Sequence, residues 1–242
     1  MNILTFPLGP LATNCYLVWD PSRTDAVMID PADHVRTLLD ALEAHGLQLA
    51  AILLTHAHFD HIGALRALHE ATGAPVWVGE GDKDDPSGMA NGLLVYTDTF
   101  RDGDTVTAAG LSFRVLETPG HTPGSVCLLR GDVLFSGDTL FAGSYGRTDF
   151  PGGSGAQMLQ SLRRLAALPP ETQVLPGHGP GSTIADELRT NPGIREALRS
   201  RNCISKTTPN ATRSNSCSCS CSRRSQVSSA PGRLPAMEPS PP

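Results

Sequence analysis

The stretch Thr55-His56-Ala57-His58-Phe59-Asp60-His61 decides the fold. It directly follows Ala50-Ala51-Ile52-Leu53-Leu54, a continuous apolar run that reads as a strand buried on both faces. Three imidazoles and a carboxylate therefore sit where a rigid strand gives way to an exposed loop, the usual position of functional side chains. Ligands of these types suit zinc, and also iron or manganese. Capping of the helix that begins near His61 would explain Asp60 but leaves the three histidines without a reason.

Working outward, the same grammar of apolar strand, glycine and ligand recurs three times. His121 stands in TPGHTPGS after the strand Leu111–Glu117. Asp138 stands in FSGDTLF after Val133–Phe135, and His178 in LPGHGP after Gln173–Leu175. Glycine at such positions allows a sharp turn and a close approach of backbone to a metal. His34, His45 and His69 lie in or beside helical segments and read as surface residues. Cys15 and Cys127 have no activating partner in the pattern and read as core.

The remaining elements frame these positions. Ile3–Phe6, Asn14–Trp19 and Asp25–Ile29 are short apolar runs between Pro, Gly and Asp turns, and predict an antiparallel meander. Val35 to His45 carries Val35, Leu38, Leu39 and Leu42 at helical spacing. A second helix runs through Ile62, Leu65 and Leu68 and is stopped by Gly73 and Pro75, with Val76–Val78 as a strand beyond it. Residues 80–104 read as a long loop with one short helix, Val126–Leu129 as a strand, and Gln157–Leu168 and Ile184–Leu188 as helices. Two β-rich halves with helices of their own predict a sandwich with sheets inside and helices outside.

The 242 residues allow one sizeable core or two small ones, but only 39% are hydrophobic and the distribution is uneven. Residues 1–199 form the expected domain. Residues 200–242 are crowded with Ser, Pro and Arg, with Ile204, Val227, Leu234 and Met237 as their only larger aliphatic groups. That composition predicts a disordered tail, because ordering costs about 1–2 kcal/mol per residue. Cys217, Cys219 and Cys221 alternate with serines and miss the C-x2-4-C spacing of structural zinc. The tail holds six Lys/Arg against one acid, so the body carries about −10 of the chain's net −5. An acidic body argues against nucleic acid as a partner. The start lacks the features of an export signal, and no apolar stretch of about 18 residues predicts a membrane span. Two body cysteines make no disulfide framework, so a cytoplasmic protein with no membrane partner is expected.

The H-x-H-x-D-H run followed by His, Asp and His after later strands resembles the five-part signature of the metallo-β-lactamase superfamily, over roughly residues 1–192. The resemblance implies the α+β class and a four-layer αββα sandwich with metals at one sheet edge. It implies two divalent metal ions, zinc first, with iron or manganese as alternatives. His56, His58 and His121 would hold one, Asp60, His61 and His178 the other, and Asp138 would bridge them. A carboxylate has two oxygens and suits the bridging role. Two such cations lower the pKa of a shared water from about 15.7 to about 7, so that hydroxide attacks a carbonyl with Asp60 and Asp138 as the catalytic carboxylates.

GDTLFAGSYGRTDFPGGS, Gly137 to Ser154, is similar to the short single-domain hydrolases of the glyoxalase II type. The resemblance implies a small-molecule thioester such as S-lactoylglutathione. Arg147 would bind a substrate carboxylate, or else pair with Asp149 and hold the loop. Tyr145 would reach the pocket, or else pack. The chain departs from full-length glyoxalase II in offering one short helix where that enzyme has a C-terminal helical domain. The alternative is a mononuclear-iron persulfide dioxygenase acting on glutathione persulfide. GRTDF also occurs there, and His56, His121 and Asp138 would hold the iron. A lactamase role is disfavoured by the missing export signal, and nucleic-acid hydrolysis by the absence of room for further domains.

Overall fold

The structure, a computed structural model, describes residues 1–199. The expected tail over 200–242 lies outside the described residues. The chain opens with β1 (Asn2–Leu8), β2 (Thr13–Trp19) and β3 (Asp25–Ile29), paired antiparallel as the short apolar runs predict. Then follow α1 (Val35–Ala44), β4 (Gln48–Leu53), α2 (Leu65–Thr72), β5 (Val76–Gly79) and β6 (Asp98–Phe100). Strands β3 to β6 run parallel, and the first sheet has the order β1-β2-β3-β4-β5-β6.

The second sheet is built from β7 (Thr105–Ala108), β8 (Leu111–Glu117), β9 (Val126–Arg130), β10 (Val133–Gly137), β11 (Gln173–Pro176) and β12 (Ser182–Thr183). Its order is β12-β11-β10-β9-β8-β7, with only β10 and β11 parallel. Helix α3 (Gly155–Leu165) joins β10 to β11, and α4 (Ile184–Thr190) and α5 (Pro192–Arg199) follow β12.

Side-chain alternation explains the layering. Every residue of β2 is buried, because both faces of its sheet are covered. Cys15, Leu17 and Trp19 face one way and join Leu38, Leu42, Leu65 and Leu68 of α1 and α2. Tyr16 and Val18 face the other way and meet Phe113, Val115, Leu128 and Phe135 of the second sheet. The outer face of that sheet gives Leu116, Cys127, Leu134 and Val174 to a cluster with Met158, Leu162, Ile184 and Ile194 of the last three helices. The result is the expected four-layer α+β sandwich. Cys15 and Cys127 are fully buried, as read. Burial pushes both thiols up, Cys127 to about 11, which keeps them protonated.

Several expectations need correction. Residues 80–97 form turns without a helix, and β6 ends that stretch; three residues of strand leave no readable period. Strands β7 and β12 were likewise not expected: Thr105–Ala108 has one large apolar side chain, Val106, and Ser182–Thr183 has none. Helix α2 starts at Leu65, because Ile62 lies in the turn that carries the ligand loop into it. Helix α3 starts at Gly155 on a Ser154 cap whose side chain accepts from Gln157 N–H. Helix α5 was missed because Pro192-Gly193 reads as a breaker. Proline is welcome at the first helical position, and Ile194 and Ala197 bury the inner face.

Candidate metal centre

Strand direction gathers the polar residues at one edge. β3 and β4 are parallel, β10 and β11 are parallel, and β8 runs with β10 because β9 opposes both. Their C-terminal ends therefore share an edge, and Thr55, His121, Asp138 and His178 follow from those ends. Bonds between the sheets stitch this edge together. Val126 N–H donates to Thr55 O at 2.9 Å, and Asn14 N–H donates to Gly177 O at 2.7 Å. Tyr16 O–H donates to Pro176 O at 2.6 Å.

All seven expected ligands converge here. Three groups have ligand atoms within 4.8 Å of one another: His56 with His58 and His121, His56 with His61 and Asp138, and Asp60 with His61 and His178. Asp138 lies between them, with Oδ1 3.3 Å from His61 Nε2 and Oδ2 3.4 Å from His121 Nε2 and 3.6 Å from His178 Nε2. Close packing requires glycine before His178. A Cβ on Gly177 would lie 2.3 Å from Asp138 Oδ1.

Outer partners fix the imidazole tautomers. His61 Nδ1 donates to Asp30 Oδ2 at 2.9 Å, His121 Nδ1 to Arg147 O at 2.7 Å, and His178 Nδ1 to Leu11 O at 3.2 Å. Thr55 commits its proton to Asp30 Oδ2 at 2.6 Å, so at 3.1 Å its oxygen receives His56 Nδ1–H. Each of these four rings thus turns its Nε2 toward the cluster. His58 Nδ1 faces His121 Nε2 at 2.9 Å.

The donor set fits divalent cations on an observation of its own. His56 Nε2, His58 Nε2, His61 Nε2 and Asp138 Oδ1 are buried with no hydrogen-bond partner. An unmet buried polar group costs about 1–3 kcal/mol, so His56 Nε2, His61 Nε2 and Asp138 Oδ1, which converge, need a common partner. Burial and the surrounding imidazoles push the His56 pKa well down, and burial with His121 and His61 brings His58 to about 4. Both rings are therefore neutral, the ligand form, at pH 7. Burial opposes charge on His61 too, but Asp138 and Asp30 beside it raise its pKa.

Two carboxylates hold the ligand loops and were not singled out by the sequence. Asp30 ends β3 with a left-handed φ of 50° and accepts from Thr55 N–H, Thr55 Oγ1 and His61. Asp82, 2% exposed, accepts from Ala57 N–H at 3.1 Å, Thr122 Oγ1 at 2.7 Å and Gly124 N–H at 2.7 Å. It ties the loop of His56 and His58 to the loop of His121. Asp30 does stand at a strand end, as the ligands do. Asp82 is hidden among the acids of 80–104.

A cavity of about 450 Å3 opens over the cluster, with Phe59, Met89, Phe141 and Phe150 among its walls. Arg147 lines it, but its guanidinium pairs with both oxygens of Asp149 at 2.7 and 2.6 Å and lies 4.0 Å from the centre of the Phe150 ring. Tyr145 is not among the cavity's lining residues. It packs with the α3–α5 cluster, where a Cβ on Gly193 would lie 2.3 Å from its ring. Of the two readings of Tyr145, pocket or packing, its contacts match packing. The loop that carries Arg147 is anchored from α4 and from Asn191, which links α4 to α5. Gly143 N–H donates to Glu187 Oε2 at 2.9 Å, and Asn191 Nδ2 donates to Ser144 O at 2.8 Å.

Among known proteins, residues 8–178 match the family model described as metallo-beta-lactamase superfamily. The chain is 35% identical over 208 residues to hydroxyacylglutathione hydrolase GloC of Haemophilus influenzae, covering 79% of this chain and 97% of that one. The crystal structure of the BLEG-1 B3 metallo-beta-lactamase is 36% identical with a TM-score of 0.74, covering 80% of this chain and 99% of the other. The structure of TTHA1623 in a di-iron-bound form is 43% identical with a TM-score of 0.70, covering 79% and 99%.

Proposed function

The chain belongs to the metallo-β-lactamase superfamily, and from that premise we propose that it is a dinuclear metallo-hydrolase cleaving a thioester of the S-lactoylglutathione type. The observation that carries this reading is Asp138, set between the His56–His58–His121 group and the Asp60–His61–His178 group. Bound there, divalent cations supply Lewis acidity toward a carbonyl and acidify water so that hydroxide is available near pH 7. Zinc is the first choice; the di-iron form of TTHA1623 supports iron with a similar chain.

The protein's own residues set the rest. Asp60 Oδ2 accepts from Thr13 Oγ1 at 2.9 Å and lies 3.3 Å from His178 Nε2, so its carboxylate is held at the mouth of the cluster. Its pKa is lowered despite burial, by His178 and His61, and it stays ionised. Phe59, Phe141 and Phe150 give the cavity apolar walls beside the cluster. Arg147 offers a guanidinium for a substrate carboxylate once Asp149 yields it. The balance is simple: the C–S bond breaks, water supplies the new C–O bond, and acid and thiol leave.

A second reading, oxidation of glutathione persulfide at one iron held by His56, His121 and Asp138, is favoured by GRTDF at Gly146–Phe150. One preparation tests both. About two metals per chain with hydrolysis of S-lactoylglutathione is the expected result. One iron with oxygen uptake on glutathione persulfide overturns it. A β-lactam assayed alongside is expected to turn over far more slowly than the thioester, and the reverse order also overturns the reading.

A further inference from the structure

A second cavity, about 250 Å3, adjoins the first across Leu11, Phe59 and Asp60, which line both. Its other walls include Leu8, Pro10, Ala32 and Leu93. Its two carboxylates sit on its rim with one short bond each: Asp33 Oδ1 accepts from His34 N–H at 2.6 Å, and Asp60 Oδ2 from Thr13 Oγ1 at 2.9 Å. Leu11 is 54% exposed at the β1–β2 turn and Phe59 is 37% exposed in the ligand loop. Neither belongs to the three core clusters. Two large apolar side chains are thus left in solvent beside the metal centre, at the junction of an aliphatic space and an aromatic one. Apolar exposure at such a place marks a ligand surface.

We propose that this second cavity is an acyl subsite that takes an unbranched aliphatic chain. The inference rests on the thioester reading above and names its substrate class. With Asp60 shared by both cavities, the scissile carbonyl lies at their junction. The acyl chain then passes between Leu11 and Phe59 toward Leu93, and the thiol arm lies in the larger cavity beside Arg147 and Phe150. A lactoyl group is short and leaves Leu8, Pro10, Ala32 and Leu93 uncovered. A chain of several methylenes fills the space and covers Leu11 and Phe59.

The test is a series of acetyl, butanoyl, hexanoyl and octanoyl thioesters of N-acetylcysteamine, assayed on the metal-loaded enzyme. Burial of each methylene is expected to raise kcat/KM about threefold to fourfold until the cavity is full. Leu93→Trp is expected to flatten that slope, and Leu93→Ala to move the plateau to longer chains. Both effects are ratios within one variant, so a general loss of activity does not imitate them. A flat or falling series in the unaltered protein overturns the subsite. A rising series that ignores both Leu93 variants places the chain elsewhere and also overturns it. Failure to hydrolyse any thioester, S-lactoylglutathione included, instead removes the parent reading and this inference with it.

Discussion

Asp30 and His61 meet at 2.9 Å on the closed floor of the metal centre, both buried. The same carboxylate holds Thr55, which holds His56, so one side chain orients a ligand in each of two groups. Asp30→Ala is expected to weaken metal affinity by roughly 10–100-fold, the usual effect of removing an outer-shell partner. Chelator competition checks it; unaltered affinity would reduce Asp30 to packing.

Asp82 is expected to matter through its acceptor-only character. Its oxygens receive two backbone N–H groups and a hydroxyl. Asp82→Asn keeps the shape but turns an NH2 toward an N–H. We expect a loss of roughly 2–3 kcal/mol in urea unfolding of the metal-free protein, from a buried donor left unmet. Metal retention should fall in the same variant, because the two ligand loops lose their common tie. Stability equal to the unaltered protein sinks this role.

Arg147 separates substrates by charge. Arg147→Ala is expected to raise KM about tenfold for S-lactoylglutathione, the loss of one charge-assisted contact. The KM for a neutral N-acetylcysteamine thioester should barely move, and metal content should hold. An equal rise for both substrates would return Arg147 to the role of holding its loop through Asp149.

Asp102 predicts a pH-dependent stability. It accepts from Glu117 N–H at 2.9 Å and from Arg164 Nη1 at 2.5 Å, fastening α3 to β8. Partial burial opposes its charge, but Arg164 and the Glu117 amide hold its pKa below the ordinary value. The folded value is depressed, so the contribution is present above the unfolded pKa of about 3.9 and is lost as pH falls through the folded one. Asp102→Asn should therefore lower Tm at pH 7 and match the unaltered protein in strong acid. Because the side chain is 46% exposed, the gap should stay below about 1 kcal/mol and shrink with salt. A gap that widens in acid contradicts this account.

The ligands were legible because their chemistry is dense and repeated. THAHFDH and three strand–Gly–ligand segments name all seven residues that the structure gathers. The long strands were legible for a similar reason: β2 and β8 carry seven residues each, enough for burial to write a pattern. What stayed hidden depends on long-range contact. Asp30 and Asp82 look like loop acids until Thr55 and Thr122 are brought beside them, across 25 and 40 positions. Tyr145 reads from sequence as lining or as packing, and only α5 shows where its ring lies. Strands β6, β7 and β12 are short and at least half polar, so neighbours hold them and they carry little local preference, unlike the apolar β5 of similar length.

The edge where the ligands gather belongs to neither sheet alone: His56, His58, Asp60 and His61 follow β4, and His121, Asp138 and His178 follow strands of the other sheet. A cation held there by both sets would bind the docked pair more tightly than the unfolded chain, so its binding would add to folding free energy. At a free metal concentration a hundredfold above Kd the linkage is worth about 2.7 kcal/mol. A protein loaded in this way would carry the metal supply around it as a shift in its melting temperature.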